Sequence, residues 1–398
     1  MANINIVTSS LSSSKFTGGI LCILEYAHQL TLKKHNVRII PILPSNEPLW
    51  FIKPYGEVVR IGRKNLFSSG LLNGIALLPK LGKIQSNAKL REEFGESARK
   101  VLLSFDKILP YEIRRGLSLS YFKDVFQSAH ATIATSYDTA LPVHLHGNGK
   151  KFYFMQHYEP FFKNETSNPL IAEKEAELSY HLGLDLIANS SWLREKISTL
   201  THKKVELCNN AIDHSIFHSI GRNTARNNEI RLISYGGRNA EWKGFRNMAA
   251  AVKIARNKLN TINIIWNVYG DALLPPDNSV APYNHLGFLN SVNLAKAYNE
   301  ADILLSASWY ESFPLFPIEA MACGLAVITS QLGTEDFAIS GETAEVIDPH
   351  NPESIAAGII KLVTDKNYRD KISEAGNRKS KLFNWEKSGA NLERIILA

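Results

Sequence analysis

Short apolar runs alternate with amphipathic helical segments along two stretches of this 398-residue chain. In the first stretch the strand Asn3–Thr8 is followed by a serine-rich loop, the helix Ile20–Lys34 and the strand Val37–Leu43. This order predicts a β-α-β unit, and repeated units of that kind build a parallel sheet. The alternation resumes later, with strands at Ile230–Tyr235 and Ile262–Tyr269 and a helix at Phe245–Asn257. We therefore predict an α/β protein with two doubly wound, Rossmann-like domains.

A polar stretch separates the two series. Residues 219–229 contain no apolar run, so we place the domain linker there. The prediction gives an N-terminal domain at residues 1–218, a C-terminal domain at 219–380 and a final helical segment at 381–398. Ligands of doubly wound sheets bind at the carboxyl ends of the strands, so we expect a site in a cleft that both domains face.

The composition is that of an ordinary globular protein. Hydrophobic residues make up 44% of the chain and charged residues 21%, so a sizeable core can form. No apolar run approaches the roughly 20 residues that a transmembrane helix needs. The N-terminus lacks the basic region of a secretory signal, and the three cysteines form no C-x-x-C pair. We expect a cytoplasmic protein without a disulfide or a zinc site.

One segment carries the whole positive charge imbalance. The formal net charge is +7, and residues 53–115 hold 13 Lys and Arg against 6 Asp and Glu, which alone gives +7. Apolar groups are interleaved with these cations, as in segments that lie on an anionic membrane surface or hold an anionic acceptor. A solvated basic face of one domain explains the pattern equally well. No nucleic-acid-binding motif accompanies the charge, so we expect no nucleic-acid partner.

The segment Ala301–Ser330 carries the motif with the most chemical content, two glutamates eight positions apart. Glu311 lies in the loop after a predicted strand, and Glu319 lies in the first turn of a helix that we expect to begin near Pro317. A helix N-terminus attracts phosphate, and carboxylates accept hydrogen bonds from sugar hydroxyls. The spacing alone is equally typical of a helix-dipole carboxylate at Glu319 and a surface residue at Glu311.

The sequence E-x-F-P-L-F-P-x-E-A-M-A-C-G in this segment resembles the E-x7-E signature of retaining GT-B glycosyltransferases of family 4. Other features resemble that family in the same order, namely Gly236-Gly237-Arg238 with Lys243-Gly244 as its G-R…K-G pair and Gly270-Asp271 as its G-D turn. The resemblance extends over nearly the whole chain, and its specific motifs lie from about residue 187 to 335. It implies two facing domains, with the last helix crossing back onto the first.

In the resembling enzymes the Arg and Lys of this pair neutralise the leaving diphosphate of a nucleotide sugar. The resemblance therefore implies that Arg238 and Lys243 hold the diphosphate, where fixed cations stabilise the developing charge. The chain contains no D-x-D motif, the common site of a metal that bridges the diphosphate. We expect no metal and no other cofactor, with the nucleotide sugar as a donor substrate.

The same resemblance assigns the two glutamates to the donor. It implies that Glu319 binds the ribose hydroxyls and that Glu311 binds or orients the sugar. Backbone N–H groups of three neighbouring residues are expected to face sugar and phosphate, namely Phe313, Leu315 and Phe316. Pro314 stands where the family has glycine, and proline has no N–H to donate, so one backbone contact is missing here.

Two further donor contacts are implied in the N-terminal domain. His157 follows the predicted strand Lys151–Gln156, at the position of a donor-contacting histidine in the family. His144 and His146 are its rivals, and we favour His157 because it alone follows a strand's carboxyl end. Gly18 and Gly19 resemble the family's glycine loop, where backbone without a side chain can approach a phosphate or a sugar closely. A tight turn before a helix is the alternative interpretation.

The stretch Tyr153–Phe162 also resembles the F-x-Q-D-[FY]-E-P segment of bacterial rhamnosyltransferases and rhamnan-synthesis proteins, with His157 in place of Asp. Glu159 remains there as a polar contact for acceptor or donor. We predict a retaining, metal-independent transfer of a sugar from a nucleotide diphosphate donor to a hydroxyl of a glycan or lipid-linked acceptor. The resemblance favours a rhamnosyltransferase of bacterial surface polysaccharide synthesis, and the basic segment at 53–115 favours a peripheral position at the inner face of the membrane. A nucleotide-sugar epimerase of the same architecture and a non-catalytic glycosyltransferase-like subunit are the alternatives.

Overall fold

The computed structural model describes residues 1–14, 17–42, 45–59, 125–165, 169–221, 228–237, 240–270 and 280–398. The chain forms two compact units. The first unit comprises Met1–Asn189, Leu193–Cys208 and Trp385–Ala398, and the second comprises Ser190–Trp192 and Asn209–Asn384. The basic segment predicted at 53–115 and the predicted linker lie largely outside the described residues.

A seven-stranded sheet forms the centre of the first unit, in the order β3-β2-β1-β4-β5-β6-β7, and its described pairings are all parallel. The inner strands are buried along almost their whole length, as parallel strands covered on both faces must be. The strands are β1 (Asn3–Thr8), β2 (Asn36–Pro41), β3 (Glu57–Val58), β4 (Ala131–Ala134), β5 (Lys150–Met155), β6 (Asp185–Ala188) and β7 (Val205–Leu207).

Helices connect these strands and cover the sheet. They are α1 (Gly18–Leu32), α2 (Tyr137–His146), α3 (Pro169–Ser179) and α4 (Ser191–Thr201), and a 3-10 helix spans Glu159–Glu165. Thr17 caps α1, its hydroxyl accepting a hydrogen bond from the Ile20 N–H at 3.3 Å. The last helix of the chain, α10 (Trp385–Leu397), packs against α1. The two helices meet at Gly389, where a Cβ atom would lie only 2.4 Å from Cβ of Gln29.

The second unit is built on a six-stranded sheet, again with all described pairings parallel, in the order β10-β9-β8-β11-β12-β13. Its strands are β8 (Glu229–Gly237), β9 (Asn263–Gly270), β10 (Asn284–Gly287), β11 (Ile303–Leu305), β12 (Ala326–Ser330) and β13 (Glu345–Ile347). Its helices are α5 (Phe245–Lys258), α6 (Ser291–Glu300), α7 (Leu315–Ala322), α8 (Pro352–Thr364) and α9 (Lys366–Ser380), and a 3-10 turn spans Glu241–Lys243.

This sheet is buried on both faces. One face packs beneath α5 and α8, whose apolar residues recur at helical spacing, for example Met248, Val252 and Ala255 along α5. The other face packs beneath α6 and α7, around the side chains of Tyr298 and Phe337. After β8 the chain adds β9 and β10 on one side of that strand, and it then returns to add β11, β12 and β13 on the other side. The loops that follow β8 and β11 therefore flank the point where ligands of doubly wound sheets bind.

Three boundaries differ from the sequence-based expectations. Helix α1 begins at Gly18 instead of Ile20, so the glycine pair occupies the first turn instead of preceding it. Helix α7 begins at Leu315 instead of near Pro317, because Pro314 in an extended conformation ends the preceding loop. The units divide at Cys208 and Asn209, whereas the predicted boundary was 218, and the C-terminal segment that groups with the first unit begins at Trp385. No helix among the described residues is long and apolar enough to span a bilayer.

Candidate functional site

An ion pair lies where the loops after β8 and β11 meet in the second unit. The Lys243 Nζ atom is 2.6 Å from Oε1 of Glu311. The two side chains retain only 15% and 13% of their exposure, so water screens the pair weakly. The sequence placed both residues in the site with separate roles, and the structure shows them in direct contact.

Gly244 explains why these two loops can approach each other. Its φ of +70° is in the left-handed region, and a Cβ atom there would lie 2.0 Å from the carbonyl oxygen of Ala307. The Trp309 N–H donates to the Trp242 carbonyl at 2.7 Å and fastens the loops on the other side of the contact. The glycine after Lys243 is therefore needed for close backbone packing between the loops.

Aromatic rings hold the Lys243 side chain in place. Its Nζ atom lies 4.1 Å from the ring centroid of Trp242, a distance at which a cation is attracted to the face of an indole. Trp242 in turn stacks on Tyr310, with ring centroids 5.0 Å apart and an interplanar angle of 13°. Each aromatic residue directly precedes one member of the ion pair, so the two rings and the two charges form one packed group.

A small pocket opens beside this group. Lys243 and Glu311 line it, and so does Leu304 of β11. Polar and aromatic side chains complete the lining, among them Tyr235, Ser306, Ser308 and Phe316. The pocket thus combines a fixed cation, a carboxylate and hydroxyl groups at the sheet edge where ligands bind.

The N-terminus of α7 also borders the pocket, through Pro314, Phe316 and Pro317. Helix α7 has eight residues, and Pro314 is its N-cap without a side-chain cap. Because Pro317 at the third helical position has no N–H, the unbonded donors of the first turn are those of Leu315 and Phe316. Phe313 is 5% exposed and contacts Phe337 and Phe383, so its side chain belongs to the core.

Glu319 is in a different position from the one expected. It lies in the second turn of α7, it is 6% exposed, and it is not among the residues that line the pocket. Burial raises the pKa of its carboxyl to about 8, and its Oε2 atom has no hydrogen-bond partner among the described residues. The Tyr269 and Tyr298 hydroxyls lie 2.9 Å apart. Burial is the main cause that raises the pKa of both hydroxyls, and the nearby charge of Glu319 raises it further.

The other predicted residues are distributed as follows. Arg238 and Asp271 lie outside the described residues. His157 follows β5 in the first unit, with its ring centroid 4.4 Å from that of Phe162. A Cβ atom added to Gly18 or to Gly19 would meet nothing within 4 Å, so space is open above the first turn of α1.

Glu159 forms hydrogen bonds with two buried tyrosines of the first unit. Its carboxylate accepts a hydrogen bond from the Tyr153 hydroxyl, and its N–H donates to the Tyr180 hydroxyl at 3.2 Å. Burial raises the pKa of the Glu159 carboxyl to about 8. This arrangement ties the loop after β5 to the aromatic cluster beneath it, and it leaves the predicted contact with acceptor or donor as a prediction.

Sequence reasoning missed the aromatic residues of the site. Trp242 and Tyr310 were not singled out, although each directly precedes a predicted site residue. Ser306 and Ser308 were also missed, and their position between a buried strand and Glu311 was the available signal. The candidate site therefore includes two rings and two hydroxyls in addition to its charged pair.

Residues 219–379 match the sequence model of the family described as glycosyl transferases group 1. The matched residues lie within the second unit and make up less than half of the chain. The chain is also 25% identical over 274 residues to the O-antigen biosynthesis protein RfbC of Myxococcus xanthus. The matched part covers 66% of this chain and 20% of that relative, so the chain spans about a fifth of the relative's length.

Solved structures resemble the chain along its whole length. Sucrose-phosphate synthase from Thermosynechococcus elongatus has a TM-score of 0.67 at 17% identity, covering 99% of this chain and 98% of that protein. Anabaena HepE, solved with UDP and glucose, has a TM-score of 0.66 at 14% identity, covering 100% and 99%. At this identity the similarity concerns the fold, and it confirms the predicted GT-B class with two parallel-sheet domains.

Proposed function

We propose that this chain is a glycosyltransferase that moves a sugar from a nucleotide diphosphate donor to a hydroxyl of a carbohydrate or lipid-linked glycan. The single observation that carries the proposal is the Lys243–Glu311 pair at the ligand edge of a group 1 glycosyltransferase domain. A fixed cation and a carboxylate side by side suit a donor that joins a diphosphate to a sugar. The cation stabilises phosphate charge, and the carboxylate accepts hydrogen bonds from sugar hydroxyls.

Lys243 is the proposed ligand of the departing diphosphate, together with Arg238. Cleavage of the glycosidic bond develops negative charge on the phosphate oxygens, and an ammonium already held in place needs no reorganisation to stabilise it. The N–H groups of Leu315 and Phe316 offer two further donors at the positive end of α7. These groups perform the role of a bridging metal, so we propose that the reaction is metal-independent.

Glu311 is the proposed ligand of the donor sugar. When the diphosphate draws Lys243 to itself, the carboxylate of Glu311 becomes free to accept hydrogen bonds from the sugar. Glu319 is the proposed partner of the ribose, and its unpartnered Oε2 supports this role because a buried polar atom without a partner is costly. A neutral carboxyl with a pKa of about 8 can both donate to and accept from a ribose hydroxyl.

Retention at the anomeric carbon is the proposed stereochemical outcome. The acceptor hydroxyl would attack on the face that the diphosphate leaves, and a phosphate oxygen would take its proton. The resemblance to family 4 supports this course. His157 stays a predicted donor contact of the first unit.

The acceptor class is proposed from the comparisons. RfbC is an O-antigen biosynthesis protein, and HepE was solved with UDP and glucose, so a glycan acceptor and a nucleotide sugar donor are supported. The stretch Tyr153–Phe162, which resembles a segment of rhamnosyltransferases, supports a deoxyhexose such as rhamnose as one donor sugar. Residues 53–115, with an excess of seven positive charges, support an anionic membrane surface or an anionic acceptor as partner.

Calorimetric titration with UDP, dTDP and GDP tests the proposal. At least one nucleoside diphosphate should bind, and EDTA should leave its affinity unchanged. Lys243→Ala should weaken that affinity, whereas Lys258→Ala, which removes an exposed lysine from the other end of α5, should not. Absence of binding to all three nucleotides, or equal binding by Lys243→Ala, would overturn the assignment. A change of the donor sugar without any acceptor would identify an epimerase instead.

A further inference from the structure

Three polar residues form a row across one face of the first unit's sheet. Asn5 on β1 is in register with Arg38 on β2, and Arg38 is in register with Glu57 on β3. Residues in register on parallel strands present their side chains to the same face. Arg38 is the third of six residues in β2, so the row lies away from the carboxyl ends where the predicted donor contacts are found.

A cavity of about 630 Å³ is lined by two members of this row, Arg38 and Glu57. Arg38 lies in its wall together with Glu47, Tyr55, Glu57 and Gln127. Gly56 completes the edge, and a Cβ atom there would lie 2.2 Å from the Val37 carbonyl oxygen, so the backbone of β3 is held tightly against β2. The cavity is therefore large enough for a sugar residue and has a well-defined wall.

Arg38 has few partners for so buried a cation. The residue is 8% exposed, and among the described residues its guanidinium donates one long hydrogen bond, 3.4 Å to Oδ1 of Asn5. It forms no ion pair with a carboxylate of the described ranges. Burial lowers the pKa of the Arg38 guanidinium, and the charge of Glu57 partly offsets that effect. A guanidinium carries five N–H donors, so most of its hydrogen-bonding capacity remains for a ligand in the cavity.

We propose that this cavity, here called the Arg38 cavity, binds an acidic saccharide through its carboxylate or phosphate group. The planar fork of Arg38 matches two oxygens of either group. Glu47 and Glu57, both exposed at the rim, accept hydrogen bonds from sugar hydroxyls, and the Tyr55 ring offers an apolar face to the sugar ring. The choice of a saccharide as the ligand rests on the proposed glycosyltransferase function, and the site is a second one, separate from the Lys243–Glu311 pocket.

The charges around the Arg38 cavity limit the ligand to one anionic group. The wall contains one cation and two carboxylates, so a diphosphate or a polyphosphate would be repelled by Glu47 and Glu57. A neutral sugar would bring no group to form an ion pair with the guanidinium, which forms none with a carboxylate of the described ranges. A sugar with a single carboxylate or phosphate pairs the buried cation and still offers hydroxyls to the carboxylates at the rim.

Saturation-transfer NMR with glucuronate, glucose 1-phosphate and glucose tests the inference. UDP is present throughout so that the Lys243–Glu311 pocket is occupied. At least one of the two acidic sugars should bind at least tenfold more tightly than glucose. Their ranking distinguishes a carboxylate ligand from a phosphate ligand. Equal affinity for glucose and for both acidic sugars would overturn the inference.

Variants of the cavity locate the binding. Arg38→Met keeps most of the side-chain volume and should lower the affinity for the acidic sugar at least tenfold. Arg194→Met, which removes a partly exposed arginine of α4, should not. If Arg38→Met does not fold, Tyr55→Ala and Arg38→Lys should each reduce the affinity. Unchanged affinity in the folded Arg38 variants would overturn the inference. If UDP binding is retained while the inference about the Arg38 cavity is overturned, the proposed function stands, because UDP binding tests the Lys243–Glu311 pocket alone.

Discussion

Lys243 and Glu311 are 68 positions apart in the sequence, yet their charged atoms lie 2.6 Å apart at the edge of the second sheet. In the function proposed above, entry of a diphosphate would require that the ammonium exchange part of its interaction with Glu311 for an interaction with phosphate. On that proposal the energy of the pair sets part of the donor affinity, in addition to its contribution to the stability of the fold.

Lys243→Ala is expected to destabilise the protein by about 1–3 kcal/mol, because it leaves the Glu311 carboxylate without its partner in a site with little exposure to water. Glu311→Ala should have a similar effect. The double variant should be less destabilised than the sum, with a coupling energy of about 0.5–3 kcal/mol. Urea unfolding of the four proteins measures it. Strict additivity would mean that the pair contributes nothing to stability.

Glu319→Gln is expected to change how stability depends on pH. The folded carboxyl has a pKa of about 8, raised by burial from its ordinary value of 4.5. Its contribution to stability is therefore fully present below about pH 4.5 and is lost as the pH rises toward 8, because only the unfolded chain ionises easily there. Glutamine cannot ionise, so the variant should gain stability relative to the wild type across this range.

Urea unfolding at several pH values between 4.5 and 8.5 measures that difference. Glu353→Gln is the matched control, since Glu353 is exposed at the start of α8 and its replacement should leave the pH profile unchanged. Parallel pH profiles for the wild type and Glu319→Gln would contradict a raised pKa at this position.

Gly244→Ala is expected to lower stability by at least about 2 kcal/mol and to abolish the Lys243–Glu311 contact. The left-handed conformation costs a residue with a Cβ atom about 1–2 kcal/mol, and the 2.0 Å approach to the Ala307 carbonyl adds a steric clash. Gly341→Ala is the control in the same unit, with φ of +74° and its nearest neighbour at 3.8 Å. Thermal unfolding should therefore rank Gly244→Ala well below Gly341→Ala, and equal melting temperatures would contradict the clash.

Trp242→Leu is expected to lower kcat/KM for the donor about 5- to 150-fold. The substitution removes the cation–π contact with Lys243 and the stacking on Tyr310, each contributing about 0.5–1.5 kcal/mol. Trp242→Phe keeps an aromatic face and should recover part of the loss. Steady-state kinetics compares the two variants with Trp50→Leu in the first unit, which should behave as the wild type. Equal losses in the Leu and Phe variants would contradict a contribution from the aromatic face at position 242.

Local sequence predicted much of the secondary structure because it depends on periodicity within short windows. Strand β1 was expected at Asn3–Thr8 and lies there, and helix α5 was expected from Phe245 and begins there. Helix starts were less accurate. Pro317 is a favoured first residue, but Leu315 begins α7, since the extended Pro314 ends the loop two residues earlier.

The sequence by itself determined the two parallel-sheet domains and the region of the site, since strand–helix alternation and a specific motif are both written along the chain. Only the tertiary structure decided which side chains meet. Lys243 contacts Glu311 because β8 and β11 are neighbours in the sheet, although β9 and β10 separate them in sequence. The burial of Glu319 and the poorly partnered Arg38 likewise depend on what packs around them. Spacing along one chain segment carries no information about such neighbours, because the order of strands in a sheet sets them.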